Sequence, residues 1–158
     1  NDFRSTINRK PYVWSEFWHK SASKWSEHLA KTNTWGHCTF ENFNGQEMIV
    51  CVDIGPGTIN YDSVAAMALQ KWYNSPKHQF NLVCPLMQKP GDHAIGQRGG
   101  LTMDMYVSKY LGISAYVYDL GEKYGHFKQV CIVWQSGYFI DKDVSLSKSN
   151  VIPTPPLE

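Results

Sequence analysis

Apolar residues recur at helical spacing in two stretches of the first half of the chain. The first stretch predicts a helix over residues 14–31, whose apolar stripe consists of Trp14, Trp18, Ala22, Trp25 and Leu29. The second predicts a helix whose apolar face consists of Val64, Ala65, Ala68, Leu69 and Trp72. We expect Asn60 or Asp62 to cap this helix and Pro76 to end it. Residues 1–9 are expected to form a short helix.

The later part of the chain is richer in strand signals. Residues 112–118 and 128–134 are two strand candidates, and the polar, glycine-containing turn between them predicts a hairpin. Residues 47–54 are apolar and β-branched and form either a strand or a buried loop, whereas residues 101–110 fit a short helix or a strand. Helices that precede antiparallel strands predict an α+β layered domain.

Two segments lack a regular pattern. Residues 82–100 are rich in Pro, Gly and Gln, which predicts an irregular excursion on the surface. The proline-containing tail over residues 145–158 is expected to be extended and poorly packed, outside a single domain at 1–144. Within that tail we expect Leu157-Glu158 to be a cloning remnant.

Charge and length exclude some classes of function. The chain has 158 residues, a length that suits one domain with a single core. Its formal net charge is +1. Because no basic face stands out, nucleic acid is not expected as a partner. No apolar run is long enough to predict a transmembrane segment. The sequence shows no signal-peptide pattern, and its start at Asn1 is interpreted as that of a trimmed, mature chain.

Cysteine spacing bears on the compartment. The cysteines are Cys38, Cys51, Cys84 and Cys131, and none of them forms a C-x-x-C pair. A structural zinc site is therefore not expected. Two disulfides are possible in three connectivities, which would suit a secreted, extracellular protein; reduced, partly buried thiols are the alternative.

Several short motifs carry a resemblance to a known family. The opening residues NDFRS resemble the motif H-N-x-x-R, and SVAAMALQKWYN resembles a helix that ends in W-Y-x-E. His37 followed by Glu41-Asn42 resembles a histidine followed by G-E-N, with Phe40 in place of the glycine. By these motifs and their order, the chain resembles the CAP superfamily (cysteine-rich secretory proteins, antigen 5, pathogenesis-related-1; also SCP/TAPS). The resemblance implies a three-layer α-β-α sandwich with a central antiparallel sheet, usually secreted.

The resemblance also implies a cavity. In the family, two histidines and two glutamates line it, and some members bind a divalent cation there. His37 and Glu41 match the first pair. The second glutamate falls on Ser75, and a hydroxyl supplies neither the charge of a carboxylate nor a general base near neutral pH.

The second histidine has two possible places. If GHFKQV over residues 125–130 is matched to the family's G-H-F-T-Q, the histidine is His126, but too little chain remains for the closing strand. If residues 101–113 are matched to that segment instead, the histidine's place falls on Gly100. We prefer the second alignment, which leaves a cavity remnant of His37, Glu41, Ser75 and Gly100 and no metal ligands.

Two hypotheses follow. The first is a non-enzymatic secreted binding protein, without a cofactor, whose partner is a protein or a lipid or sterol; here His37 is a hydrogen-bonded structural residue. The second is a metal-assisted hydrolase in which His37, Glu41 and His126 hold zinc, and it requires the two histidines to meet. A third hypothesis, membrane contact through exposed aromatic residues, lacks an amphipathic basic helix.

Overall fold

The computed structural model describes residues 1–41, 43, 45–86, 88, 92–98 and 101–137. The helices are α1 (Asp2–Thr6), α2 (Glu16–Thr32), α3 (Tyr61–Tyr73) and α4 (Pro76–Val83). The strands are β1 (Val13–Trp14), β2 (Gln46–Gly55), β3 (His93–Arg98), β4 (Leu101–Tyr106), β5 (Tyr110–Asp119) and β6 (Lys128–Gly137). A 3₁₀ turn, Glu122–Tyr124, lies between β5 and β6.

A four-stranded sheet in the order β1-β5-β6-β2 forms the middle layer. Strands β5, β6 and β2 are antiparallel neighbours, as predicted, and the two-residue strand β1 runs parallel to β5 at one edge. Helix α2 covers one face of this sheet, while α3 and α4 contribute to the core on the other face. The predicted α+β sandwich is therefore confirmed.

Helix α2 forms where the tryptophan stripe predicts it. The side chain of Ser15 accepts a hydrogen bond from the backbone N–H of Trp18, which starts the helix, and Asn33 ends it in the left-handed conformation. Trp18 and the later members of the stripe are buried, but Trp14 precedes the cap, lies in β1 and is 51% exposed. At Gly112 of β5 an added Cβ would lie 1.9 Å from the backbone nitrogen of His19, so only glycine permits this approach.

The region around Pro76 differs from the expectation. Asn60 caps α3 by accepting from the N–H of Ser63, and α3 ends at Tyr73 as predicted. Pro76 then begins a helix, α4, that the sequence pattern did not predict. The reason is that a proline lacks only an N–H that the first helical turn leaves unpaired in any case.

The excursion over residues 82–100 is more regular than expected. It contains the end of α4 and the strand β3, which pairs with β4 in a separate two-stranded sheet. The choice between helix and strand for 101–110 is thus decided in favour of strand for its first six residues. The boundary at residue 144, the tail 145–158 and its closing Leu157-Glu158 lie outside the described residues.

One disulfide joins β2 to β6. Cys51 and Cys131 are directly opposite each other in the register, with their Cα atoms 4.1 Å apart. Cys38 and Cys84 are free thiols, so two disulfides do not form among the described residues. No helix in the described ranges is long and apolar enough to cross a membrane.

Candidate functional site

The loop after α2 brings His37 against Glu47, the second residue of β2. Nδ1 of His37 lies 2.9 Å from Oε1 of Glu47. Because a carboxylate only accepts hydrogen bonds, Nδ1 carries the proton. The side chain of His37 is 33% exposed and that of Glu47 is 0% exposed. The pair therefore lies at the edge of the interior, with the histidine between the carboxylate and solvent.

Two more donors complete the environment of Glu47. The backbone N–H of Cys38 donates to Oε1 over 2.8 Å, and Nε2 of Gln135 donates to Oε2 over 2.6 Å. Gln135 is directly opposite Glu47 in the register of β2 and β6, so the sheet itself holds the two side chains together. We call His37, Cys38, Glu47 and Gln135 the Glu47 network. Both carboxylate oxygens of Glu47 are occupied by donors of this network.

The thiol in this network is not set up as a nucleophile. Burial, with the nearby charge of Glu47 adding to it, raises the pKa of the Cys38 thiol to about 11. A reactive cysteine needs a thiolate, which forms when positive groups lower the pKa. The Cys38 thiol therefore remains protonated near neutral pH.

A second histidine approaches from the other side of the sheet edge. His78 lies in α4, and its Nδ1 is 2.7 Å from the hydroxyl oxygen of Ser75, the residue that precedes α4. Burial lowers the pKa of His78, and its electrostatic interactions with His37 and Lys77 lower it further. His78 is consequently neutral near neutral pH, and its imidazole belongs to the surroundings of His37.

Aromatic side chains surround the same loop. The ring of Trp25 stacks on His28 with a centroid distance of 4.9 Å and meets Phe40 edge-on at 5.1 Å. The indole N–H of Trp25 donates to the carbonyl of Gly36. Trp35 is 57% exposed and Phe40 is 40% exposed. We call His28, Trp35 and Phe40 the aromatic rim; Trp35 and Phe40 belong to the same loop as His37.

The carboxylate beside His37 is not the one that the resemblance pairs with it. Glu41 is exposed in the turn before β2, and the carboxylate that His37 contacts is that of Glu47. Spacing along the chain suggested Glu41, but the start of β2 points Glu47 inward next to Gln135. A charged residue that opens an apolar strand was the signal for Glu47, because a buried charge requires partners. No comparable signal marked His78.

The other predicted positions have different outcomes. Ser75 lies next to the site and contributes a hydroxyl to His78, not a carboxylate. Gly100 lies outside the described residues, so its place in the cavity stays a prediction. The preferred alignment expected residues 130–134 to be the last core strand, and these residues lie within β6, which ends the described chain.

His126 belongs to the opposite end of the sheet. Its Nδ1 lies 3.2 Å from Oδ2 of Asp119, with side-chain exposures of 62% for His126 and 41% for Asp119. Asp119 pairs with Lys128 at the start of β6, whereas Gln135, seven residues further along that strand, pairs with Glu47. Seven residues of a strand span about 23 Å. The structure therefore does not bring His126 and His37 together.

Comparison with known proteins places the chain in a family. A model of the cysteine-rich secretory protein family, CAP, matches residues 1–131. The chain belongs to the CAP family. No curated protein matches it. Among solved structures, an outer surface protein from Borrelia burgdorferi is similar, with 14% sequence identity and a TM-score of 0.44, over 85% of this chain and 84% of that one.

The metal cavity that the CAP resemblance implies is not matched by the residues present. In the part of the chain that the structure describes, no three His, Cys, Asp or Glu side chains are placed to share a metal ion. Glu47, the buried carboxylate beside His37, already accepts from three donors. The donor set therefore does not fit a divalent cation.

Proposed function

We propose that this CAP-family chain is a secreted, non-enzymatic binding protein that uses no cofactor and takes a protein or a lipid or sterol as its ligand. The observation that carries the proposal is the complete burial of the Glu47 side chain, with both of its oxygens accepting from His37, Cys38 and Gln135. A general base or a metal ligand must offer a lone pair to a group that can reach it, and three of the roughly four acceptor sites of this carboxylate are taken. Glu47 instead uses its oxygens to hold the loop after α2 on the sheet.

The remaining groups support the same conclusion. Ser75 replaces the second acid, and Cys38 keeps its proton. The alternative, a metal-assisted hydrolase built from His37, Glu41 and His126, finds no support, because Glu41 is exposed and His37 and His126 lie near opposite ends of β6. The site thus stabilises a surface and does not assemble a reaction centre.

The aromatic rim is the surface that suits a ligand. Exposed tryptophan and other aromatic side chains dominate the binding energy of protein interfaces, because they bury a large area at a small cost in conformational entropy. Trp35 and Phe40 are exposed residues of the loop that the Glu47 network holds in place. A rigid support lowers the entropy lost on binding.

Secretion rests on the disulfide. The Cys51–Cys131 bond requires an oxidising compartment to form and persist. That nucleic acid is not a partner stays a prediction from the balanced charge of the chain.

A zinc titration by calorimetry at neutral pH tests the non-enzymatic part of the proposal. We expect no stoichiometric binding to the wild-type chain, to His37→Ala or to His126→Ala. Binding near one equivalent that disappears in His37→Ala but persists in His126→Ala would contradict the proposal and make His37 a ligand.

Vesicle sedimentation separates the ligand classes. Phosphatidylcholine vesicles with and without cholesterol are incubated with the wild type, with Trp35→Ala and with Tyr124→Ala, an exposed aromatic control at the other end of the sheet. Sedimentation that depends on Trp35 would identify a lipid or sterol ligand. If the protein stays in the supernatant throughout, binding to a lipid surface is excluded and a protein ligand is favoured.

A further inference from the structure

A cavity of about 510 Å³ lies at the end of the sheet remote from the Glu47 network. Its lining consists of Pro56, Gly57, Thr58, Ile59, Tyr61 and Lys128. Its position follows from the local structure: β2 ends at Gly55, which has a positive φ of 80°, and the chain then turns before α3 begins. Lys128 opens β6 directly opposite Gly55 in the register. The cavity belongs to no part of the site described above.

One side chain of the lining is a cation. Among the described residues no ion pair or hydrogen bond engages the ammonium of Lys128, although Asp119 is its neighbour across the strands. The carboxylate of Asp119 accepts from the N–H of Gly121 and contacts His126, while the charge of Lys128 acts on it without a hydrogen bond and helps to lower its pKa. The other nearby acid, Asp53, lies on the opposite face of the sheet, where it accepts from Gln129. Lys128 is thus available to a ligand.

Apart from the hydroxyl of Thr58, the other side chains of the lining are apolar or aromatic. The ring of Tyr61 is 64% exposed at the first position of α3, and Ile59 and Pro56 add aliphatic surface. An aromatic face of this kind stacks planar rings. The cavity is open to solvent, and small-molecule sites commonly combine aromatic or aliphatic surface with one or two polar groups that fix orientation.

From this arrangement we infer that the cavity binds a small planar aromatic carboxylate, with the ring against Tyr61 and the carboxylate at Lys128. The inference goes beyond the proposed function and is independent of it, because the aromatic rim and the Glu47 network lie at the other end of β6. A charge-assisted hydrogen bond from Lys128 supplies the orientation, and stacking on Tyr61 supplies most of the buried area.

Two matched probes test the inference. 2-Naphthoate and 2-naphthalenemethanol share a ring system, but only the first carries a carboxylate. Each is titrated at neutral pH into the full chain and into Lys128→Gln, Tyr61→Ala and Lys123→Gln, with binding followed by calorimetry and by shifts of backbone amide resonances. Lys123→Gln removes an exposed lysine of the neighbouring turn that does not line the cavity.

We expect saturable binding of 2-naphthoate with shifts confined to the lining. Lys128→Gln should weaken it by about tenfold, the usual effect of losing a hydrogen bond to a charged group, and Tyr61→Ala should weaken it as well. Lys123→Gln should have no effect. The uncharged alcohol should bind the wild type only as weakly as 2-naphthoate binds Lys128→Gln.

Three results would overturn the inference: no saturable binding of 2-naphthoate, equal binding of the two probes, or equal loss in Lys128→Gln and Lys123→Gln. If Lys128→Gln does not fold, Tyr61→Ala and the comparison of the two probes on the wild type decide the question alone. None of these results bears on zinc or vesicle binding, so failure here leaves the proposed function standing.

Discussion

The two ends of β6 each hold a histidine beside a carboxylate, and they differ in burial far more than in distance. At one end His37 lies 2.9 Å from Glu47, and at the other His126 lies 3.2 Å from Asp119. Glu47 is fully buried and accepts from three donors, whereas Asp119 is exposed at a turn. A histidine–carboxylate contact therefore does not by itself identify a site.

Solvent explains the difference. Water and salt screen the charges of an exposed pair, so such a pair contributes little to stability. In the interior the same contact is expensive to break, because removal of one partner leaves the others without hydrogen bonds. The comparison predicts that equal changes at the two ends have unequal effects.

The largest effect is expected at Glu47. Glu47→Ala leaves Nδ1 of His37, the N–H of Cys38 and Nε2 of Gln135 without their acceptor. We expect a loss of about 3–5 kcal/mol in the free energy of unfolding, measured by urea denaturation. Glu41→Ala, at an exposed position, is the matched control and should change little. A loss at Glu47 no larger than at Glu41 would refute the importance of the network.

The disulfide between the two ends comes next. Cys51 and Cys131 are 80 residues apart in sequence, and their bond restricts the unfolded chain. The double variant Cys51→Ala/Cys131→Ala should lose about 2–4 kcal/mol of unfolding free energy. Cys38→Ala, which removes a free thiol, controls for the loss of a cysteine side chain. An unchanged thermal midpoint after reduction of the wild type would argue against this prediction.

A smaller, pH-dependent effect is expected from His78. Its pKa is lower in the folded chain than in the unfolded chain, where it is about 6.5. As the pH falls below that value, the unfolded chain binds more protons, so the contribution of His78 to stability is lost progressively until the pH passes the lowered folded pKa. Thermal midpoints measured from pH 7 to about pH 5 should fall less steeply in His78→Gln. If the thermal midpoints of the wild type and His78→Gln fall in parallel with pH, His78 is not a source of the pH dependence.

The smallest effect is expected at the exposed pair. Asp119→Asn keeps an oxygen for the N–H of Gly121 and removes the charge that faces His126. Near neutral pH and in moderate salt, its thermal midpoint should equal that of the wild type within the error of calorimetry. The hydrogen bond from Gly121 and, after it, the contact with His126 lower the pKa of Asp119. Any contribution of Asp119 to folding stability is therefore present above its unfolded pKa, which is about 4, and is lost in acid. A large drop in the thermal midpoint of Asp119→Asn at neutral pH would show that the exposed pair contributes to stability as the buried pair does.

Local patterns predicted much of the fold. The stripe from Trp18 to Leu29 sets the buried face of α2, because helical spacing depends only on neighbours along the chain. The strand candidates after Gly112 became β5 and β6 with the expected turn. The pattern around Pro76 did not predict α4, because a proline can end one helix and is also suited to begin the next.

The sequence by itself determined the CAP family and the α+β sandwich, since these depend on motifs and periodicities that lie within a few turns of chain. Only the tertiary structure decided which carboxylate His37 meets. That choice depends on the register of β2 against β6, which places Glu47 opposite Gln135, 88 residues away, and leaves Glu41 in solvent. The same register separates His126 from His37 by most of the length of β6. Along the chain the two histidines were plausible partners in one site, but strand pairing places them at opposite ends of the sheet.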